Sequence, residues 1–196
     1  ESIVKFFDIE FDQSPTTVYK FNDDFTKTLW FENSKISYSK NVFKNHKLKT
    51  PAIKYQDENG NYIEVSWGSL KMKTLEFQKI LIKNNVKIGD RVAGYCSNTP
   101  DVVAAFLAVN SLGAIWSSCS PDFGYDSVHD RFNQIQPKFL FYHSEYMYNG
   151  KIFSLDSKVE KLKSSIKSIS CSLDLNTKSV FSNSKENINL TFTAVD

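Results

Sequence analysis

The stretch from Gly89 to Gln136, GDRVAGYCSNTPDVVAAFLAVNSLGAIWSSCSPDFGYDSVHDRFNQIQ, constrains the fold of this chain more than any other. It alternates strand and helix patterns with very short links. Arg91–Ser97 is mostly apolar and reads as a strand buried on both faces. Thr99 stands where a helix cap belongs, Pro100 falls at the first helical position, and Asp101 sits at the positive end. Val102–Leu112 is apolar nearly all round, and Gly113 stops the helix. Ala114–Ser118 predicts a second buried strand, residues 125–136 a helix ended by Pro137, and Lys138–His143 (KFLFYH) a third strand. Strands joined through helices lie parallel, with right-handed crossovers. The fold class is therefore α/β with a parallel sheet. Function in such sheets gathers in the loops at the carboxyl ends of the strands, here Ser97–Thr99, Ser117–Gly124 and the residues after His143.

The flanks are less regular. Residues 1–50 are rich in aromatics that keep no steady period: Phe6, Phe7, Phe11, Tyr19, Phe21, Phe25, Trp30 and Phe31. They read as an extension that packs its rings onto a neighbouring domain, with a short helix over Ser39–Lys47. Ala52–Gln56 and Tyr62–Ser66 predict two strands joined by the polar turn DENGN. Ser66 can cap a helix running from Trp67 to about Asn84. Asp156–Ser170 reads as a lysine-rich helix with a thin apolar seam at Val159, Leu162, Ile166 and Ile169. The tail 171–196, rich in Ser and Asn, carries little pattern.

Composition narrows the function classes. The 24 basic and 22 acidic residues nearly balance. The clusters Lys44–Lys49 and Lys158–Lys167 read as solvated faces, so no nucleic-acid partner is expected. No apolar run reaches the ~18 residues of a membrane span, and no targeting signal is visible, which predicts a cytosolic location. The first residue is Glu, so the natural start is expected to lie further upstream. Cys96, Cys119 and Cys171 lack CxxC spacing, and His46, His129 and His143 are scattered, so neither a disulfide framework nor a metal site is indicated. There is no GxxxxGK[ST], no GxGxxG and no GxSxG. The polar loop SSCSPDFG (117–124) can face a ligand through Ser117, Ser118 and Ser120, or can simply cap turns. Cys119 lacks a basic partner and is no nucleophile. Asp122, Asp126 and Asp130 beside Arg131 predict a salt-bridged surface. Tyr148–Lys151 (YNGK) signals a turn with a cation at its end, where lysine could meet a phosphate as a point charge.

Several blocks resemble the AMP-forming acyl-CoA synthetases of the adenylate-forming superfamily. LWFENSKISYSKNVF (29–43) resembles the WFxGxxLNYAENLL segment that precedes their core domain. Residues 89–124 resemble their first strand–helix–strand unit, and the ending GAIWSSCSPDFG is similar to the acetoacetyl branch. DRFNQIQPKFLF (130–141) and YNGK (148–151) continue that branch's pattern. The likeness covers about residues 29–151; beyond them SKENINL (184–190) is a faint echo.

The resemblance implies an N-terminal extension over residues 1–45, followed over 46–196 by an incomplete first part of an AMP-binding α/β domain. It implies an enzyme that uses ATP, coenzyme A and Mg to activate acetoacetate through an acyl-adenylate, within ketone-body and lipid metabolism. It carries the CoA-phosphate segment onto Tyr148, Asn149, Gly150 and Lys151, where lysine replaces the family's arginine and loses its bidentate fork. The family's phosphate loop ending in Pro-Lys, its adenine, ribose and magnesium motifs, and its C-terminal domain do not occur in these 196 residues. The chain is therefore expected to be inactive alone and to need the rest of a synthetase as partner. The alternative is a non-catalytic CoA-binding or protein-interaction module that keeps part of the fold. Under the first reading the three strands also expect neighbours from beyond Asp196, and the isolated chain should expose apolar surface and associate.

Overall fold

The computed structural model describes residues 2–177 and 189–196, so most of SKENINL (184–190) lies outside the described residues. The extension holds α1 (Ser2–Phe6), then β1 (Thr17–Lys20) paired antiparallel with β2 (Leu29–Glu32), and α2 (Tyr38–Phe43). A second antiparallel pair, β3 (Pro51–Gln56) and β4 (Tyr62–Ser66), leads into α3 (Trp67–Lys83). The central unit follows as β5 (Arg91–Tyr95), α4 (Pro100–Ser111), β6 (Ile115–Cys119), α5 (Tyr125–Ile135) and β7 (Phe139–Tyr142). A hairpin of β8 (Glu145–Tyr148) and β9 (Lys151–Ser154) comes next, then α6 (Asp156–Ser165) and β10 (Cys171–Asp174).

Four strands form one all-parallel sheet in the order β10-β7-β5-β6. Side-chain alternation divides its residues between two cores. Val92, Cys96, Phe139 and Phe141 join α3 and α4 on one face. Ala93, Tyr95, Leu140, and Val128, Phe132, Val159 and Leu162 of α5 and α6 form the other. Each fully buried ring or branched side chain contributes about 1.5–3 kcal/mol over its exposed state. Gly94 is required where β5 passes under Trp116: a Cβ there would lie 2.5 Å from the indole.

The helix starts follow from local chemistry. Ser66 accepts from the Ser69 backbone N–H and caps α3. Pro100 opens α4 after Thr99, but the Thr99 hydroxyl makes no capping bond.

Four expectations need correction. Ala114–Ser118 is not a second buried strand: β6 is a sheet edge among the described residues, and Ile115 is 52% exposed. Apolar content alone does not say whether a strand has neighbours on both sides. The lysine-rich helix stops at Ser165, where Ile166 turns extended as its C-cap; Ile166 still seals the core. The weakly patterned tail contributes β10, parallel to β7. Arg131 rests over the Phe123 ring, 5.5 Å from its centroid, rather than in a salt-bridged surface. Among the described residues no helix is long and apolar enough to cross a membrane.

Candidate functional site

The order of connections locates a crevice. From β5 the chain leaves to α4 on one face, and from the adjacent β7 it leaves toward α6 on the other. Ligands in open α/β sheets bind at such a switch point, beyond the strands' carboxyl ends. A cleft of about 690 Å³ lies there. Ser97–Thr99 after β5 and His143 and Glu145 after β7 line it, Ser120–Asp122 after β6 close one side, and the β3–β4 turn and β8 supply the remaining walls.

His143 is the most deeply buried polar side chain among the cleft's described walls. It is 5% exposed. Its Nδ1 accepts from the Ser97 backbone N–H at 3.1 Å, which ties the two switch-point loops together. Burial pushes the imidazole pKa below its ordinary value, against the pull of Asp174 and Asp101. A neutral ring whose Nδ1 is an acceptor carries its proton on Nε2. Among the described residues no acceptor meets that Nε2–H.

The neighbouring loops are held from below. The Tyr95 hydroxyl donates to the Phe123 carbonyl at 2.7 Å, and burial pushes its pKa up to about 12. It thereby fixes Ser120–Phe123. Asp174 accepts from the Ser144 N–H at 3.0 Å and Asn176 from the Glu145 N–H at 3.2 Å, so the end of β10 positions the loop after β7. Thr99 Oγ1 is buried without a hydrogen-bond partner, an arrangement that costs about 1–3 kcal/mol.

Among the described residues the walls carry Asp57, Glu58, Asp122 and Glu145, and no Lys or Arg. Hydrogen bonds from the Asn61 side chain, with backbone N–H groups of the same turn, outweigh desolvation and hold Asp57 below the usual carboxylate range. The cleft is therefore negative inside and disfavours anions.

The YNGK segment falls at the β8–β9 turn. Asn149 (φ 48°) and Gly150 (φ 71°) both take positive φ, as a two-residue type I′ turn demands. Tyr148 lines the cleft, whereas Asn149 and Gly150 are the turn itself and Lys151 starts β9 exposed, outside the walls. Ser120 reaches the cleft, but Ser117 and Ser118 lie within β6. Cys119 is buried in the second core, and burial raises its pKa, which removes it as a nucleophile.

Sequence reading marked the three loops but not the side chains that matter in them. His143 carried one signal, its place just past a buried apolar strand. Tyr95 and the β3–β4 turn carried none, because they enter the site through tertiary packing.

Comparison with known proteins gives this geometry a family. The family described as AMP-binding enzyme matches residues 40–191, more than half of the chain. The chain belongs to the AMP-binding enzyme family. It is 41% identical to the acetoacetyl-CoA synthetase of Gallus gallus over 142 residues, 71% of this chain and 21% of that protein. The acetoacetyl-coenzyme A synthetase of Rhizobium meliloti (strain 1021) is 36% identical over 140 residues, 70% and 21% of the two chains. Among solved structures, the acetoacetyl-CoA synthetase from Streptomyces lividans superposes with a TM-score of 0.89 at 27% identity, covering 99% of this chain and 32% of that one. The chain thus spans about a fifth of the length of the curated relatives it matches. The parallel sheet and its crossovers are those of an adenylate-forming enzyme's N-terminal region.

Proposed function

We propose that this chain is the N-terminal part of an AMP-forming acid–thiol ligase that converts acetoacetate and coenzyme A to acetoacetyl-CoA. The similarity to acetoacetyl-CoA synthetases from a bird and a bacterium, over about 70% of the chain in each case, carries the reading. In the first half-reaction the acetoacetate carboxylate attacks the α-phosphorus of ATP, giving an acyl-adenylate and pyrophosphate. In the second the CoA thiolate attacks the acyl carbon and AMP departs. Mg belongs to this proposal because it would offset charge on the leaving pyrophosphate. A cytosolic location and the division of the chain into an extension (1–45) and an AMP-binding portion (46–196) belong to it as well.

Within that scheme we assign Tyr148, Asn149, Gly150 and Lys151 to coenzyme A. Lys151, exposed at the hairpin, offers a point charge to a phosphate. The four carboxylates within the cleft repel the same phosphates. Phosphate at the rim and an uncharged portion within is the division that the charges favour. The chain's own residues here supply binding and orientation, not bond making.

ATP–pyrophosphate exchange tests the assignment. The full-length protein should show exchange that depends on acetoacetate and exceeds that with acetate at least tenfold, and residues 1–196 alone should show none. No acetoacetate-dependent exchange by the full-length protein would overturn the proposed activity.

A further inference from the structure

Beyond β7 the chain runs out into the β8–β9 hairpin, an arm whose strands pair only with each other among the described residues. β9 is exposed at every position, while Tyr146 of β8 touches the second core. The arm is hinged at Ser144, Glu145 and Leu155, and every polar group of Ser144 is held there. Its carbonyl accepts from the N–H of the buried Leu155 at 2.7 Å. Its N–H donates to Asp174 Oδ1 at 3.0 Å, and its hydroxyl to Asn176 Oδ1 at 3.2 Å. The Glu145 N–H donates to the same Asn176 oxygen at 3.2 Å. Asp174 Oδ1 also accepts from the Asn176 N–H at 2.9 Å, so the two side chains form one brace. Asp174 ends β10, and the parallel pairing with β7 fixes that end to the sheet.

A base of this kind sets the direction of an arm. Tyr148 and Lys151 face each other at the far end, about 10 Å from Glu145 at a strand's rise per residue. A tilt of about 15° at the base therefore displaces them by about 3 Å. An exposed ammonium group attracts a phosphate strongly only at short range, because water and salt screen the charge. On the reading that Tyr148–Lys151 take coenzyme A, we propose that Asp174 is a positioning residue for that cosubstrate: through Ser144 and Asn176 it fixes the direction of the hairpin, and with it the place where Lys151 meets a phosphate. Asp174 itself lies outside the cleft's walls.

The test uses the full-length protein. The KM for coenzyme A is read separately from kcat and from acetoacetate-dependent ATP–pyrophosphate exchange, which needs no thiol. Asp174→Ala should raise that KM about threefold to tenfold, with kcat and exchange within about twofold. Asn176→Ala, which releases the Ser144 hydroxyl and the Glu145 N–H, should raise it in the same direction. Asp174→Asn keeps the accepting oxygen without the charge and should restore at least half of the loss. Asp174 also acts electrostatically on His143, and an effect carried by that charge would instead make Asp174→Asn as poor as Asp174→Ala. Lys151→Ala should raise the same KM, and adding Asp174→Ala to it should raise it further by less than Asp174→Ala does alone, because the charge to be placed is already gone. An unchanged KM in both Asp174→Ala and Asn176→Ala would overturn the brace. So would equal losses in Asp174→Ala and Asp174→Asn, or effects of Asp174→Ala and Lys151→Ala that simply multiply. If Lys151→Ala alone still raises the KM, the coenzyme A assignment survives that failure. A KM indifferent to Lys151→Ala removes the assignment and the brace together.

Discussion

The parallel sheet and the N-terminal extension are both rich in aromatic residues, and they treat them in opposite ways. In the sheet Tyr95, Phe139 and Phe141 are at most 1% exposed. In the extension Phe6 is 82% exposed, Phe25 75% and Trp30 58%. The rings of β5 and β7 alternate across two faces, each covered by a pair of helices. Those of β1 and β2 sit on a two-stranded ribbon; Tyr19 meets Trp30 at 6.0 Å, and Phe31 meets Phe11 at the same separation. The extension is held in two ways: α2 packs Val42 and Phe43 against the first core and sets Tyr38 edge-on to Phe106, whereas the segment before α2 is tied to it by polar contacts. Lys40 reaches Glu10 and Asp12, Lys44 reaches Asp8, and Asn41 bonds both ways with the Glu10 backbone. Such exposed pairs are worth ~0–1 kcal/mol each. Period, rather than content, decides which rings are covered within this chain. The expectation that the extension's rings pack onto a neighbouring domain is not met by Phe6, Phe25 or Trp30 among the described residues: each stays more than half exposed.

Truncating one ring in each region puts this contrast at greatest risk. Phe132 is completely buried between α5, α6 and the sheet. Phe132→Ala should cost about 3–5 kcal/mol in a urea titration, through lost transfer energy and a cavity. Phe6→Ser should stay within about 0.5 kcal/mol. Equal losses would mean that the extension is covered in solution.

The same contrast explains what could be read from the sequence. The caps of α3 and α4 were legible because Ser66 and Pro100 act within one turn of chain. The β3–β4 and β8–β9 turns were legible because Asn-Gly sequences speak for local φ. The strands β8 and β9 were not: Glu-Tyr-Met-Tyr and Lys-Ile-Phe-Ser have no buried face to impose alternation. In β10, Cys-Ser-Leu-Asp is half-buried at every position, and only its register beside β7 makes it a strand. Of the site, the loops followed from the crossover rule. The ring tautomer of His143, the orphan hydroxyl of Thr99 and the acidic wall from the β3–β4 turn depend on contacts between residues far apart in sequence.

A smaller effect should appear where residues 189–196 meet α3. The Gln78 amide is buried; its Nε2 donates to the Thr191 carbonyl at 2.7 Å, and its Oε1 accepts from the Thr191 N–H at 3.1 Å. Gln78→Leu removes both bonds, together with the one that Nε2 donates to the buried Ser111 Oγ, in a side chain of similar volume. The loss should be about 1 kcal/mol, softened because water can reach Thr191. Hydrogen exchange should speed up at Thr191 and Thr193 while the amides of β5 and β7 stay protected. Uniform acceleration across the sheet would show that this clasp belongs to the core rather than to an attached segment.

The smallest predicted effect is a pH dependence carried by the histidine buried at the end of the sheet. Burial lowers the pKa of His143 in the folded chain, with Asp174 and Asp101 pulling the other way. The unfolded chain therefore binds a proton, near the ordinary value of about 6.5, that the folded chain refuses. Stability then rises with pH wherever the unfolded state holds more protons. The contribution is complete above the unfolded value and is lost as pH falls from there through the lower, folded one. Melting temperatures between pH 7 and pH 5 should drop less for His143→Asn than for the parent, because Asn presents an acceptor to the Ser97 N–H without titrating. A pH slope that stays as steep in His143→Asn as in the parent would remove the neutral imidazole from the switch point.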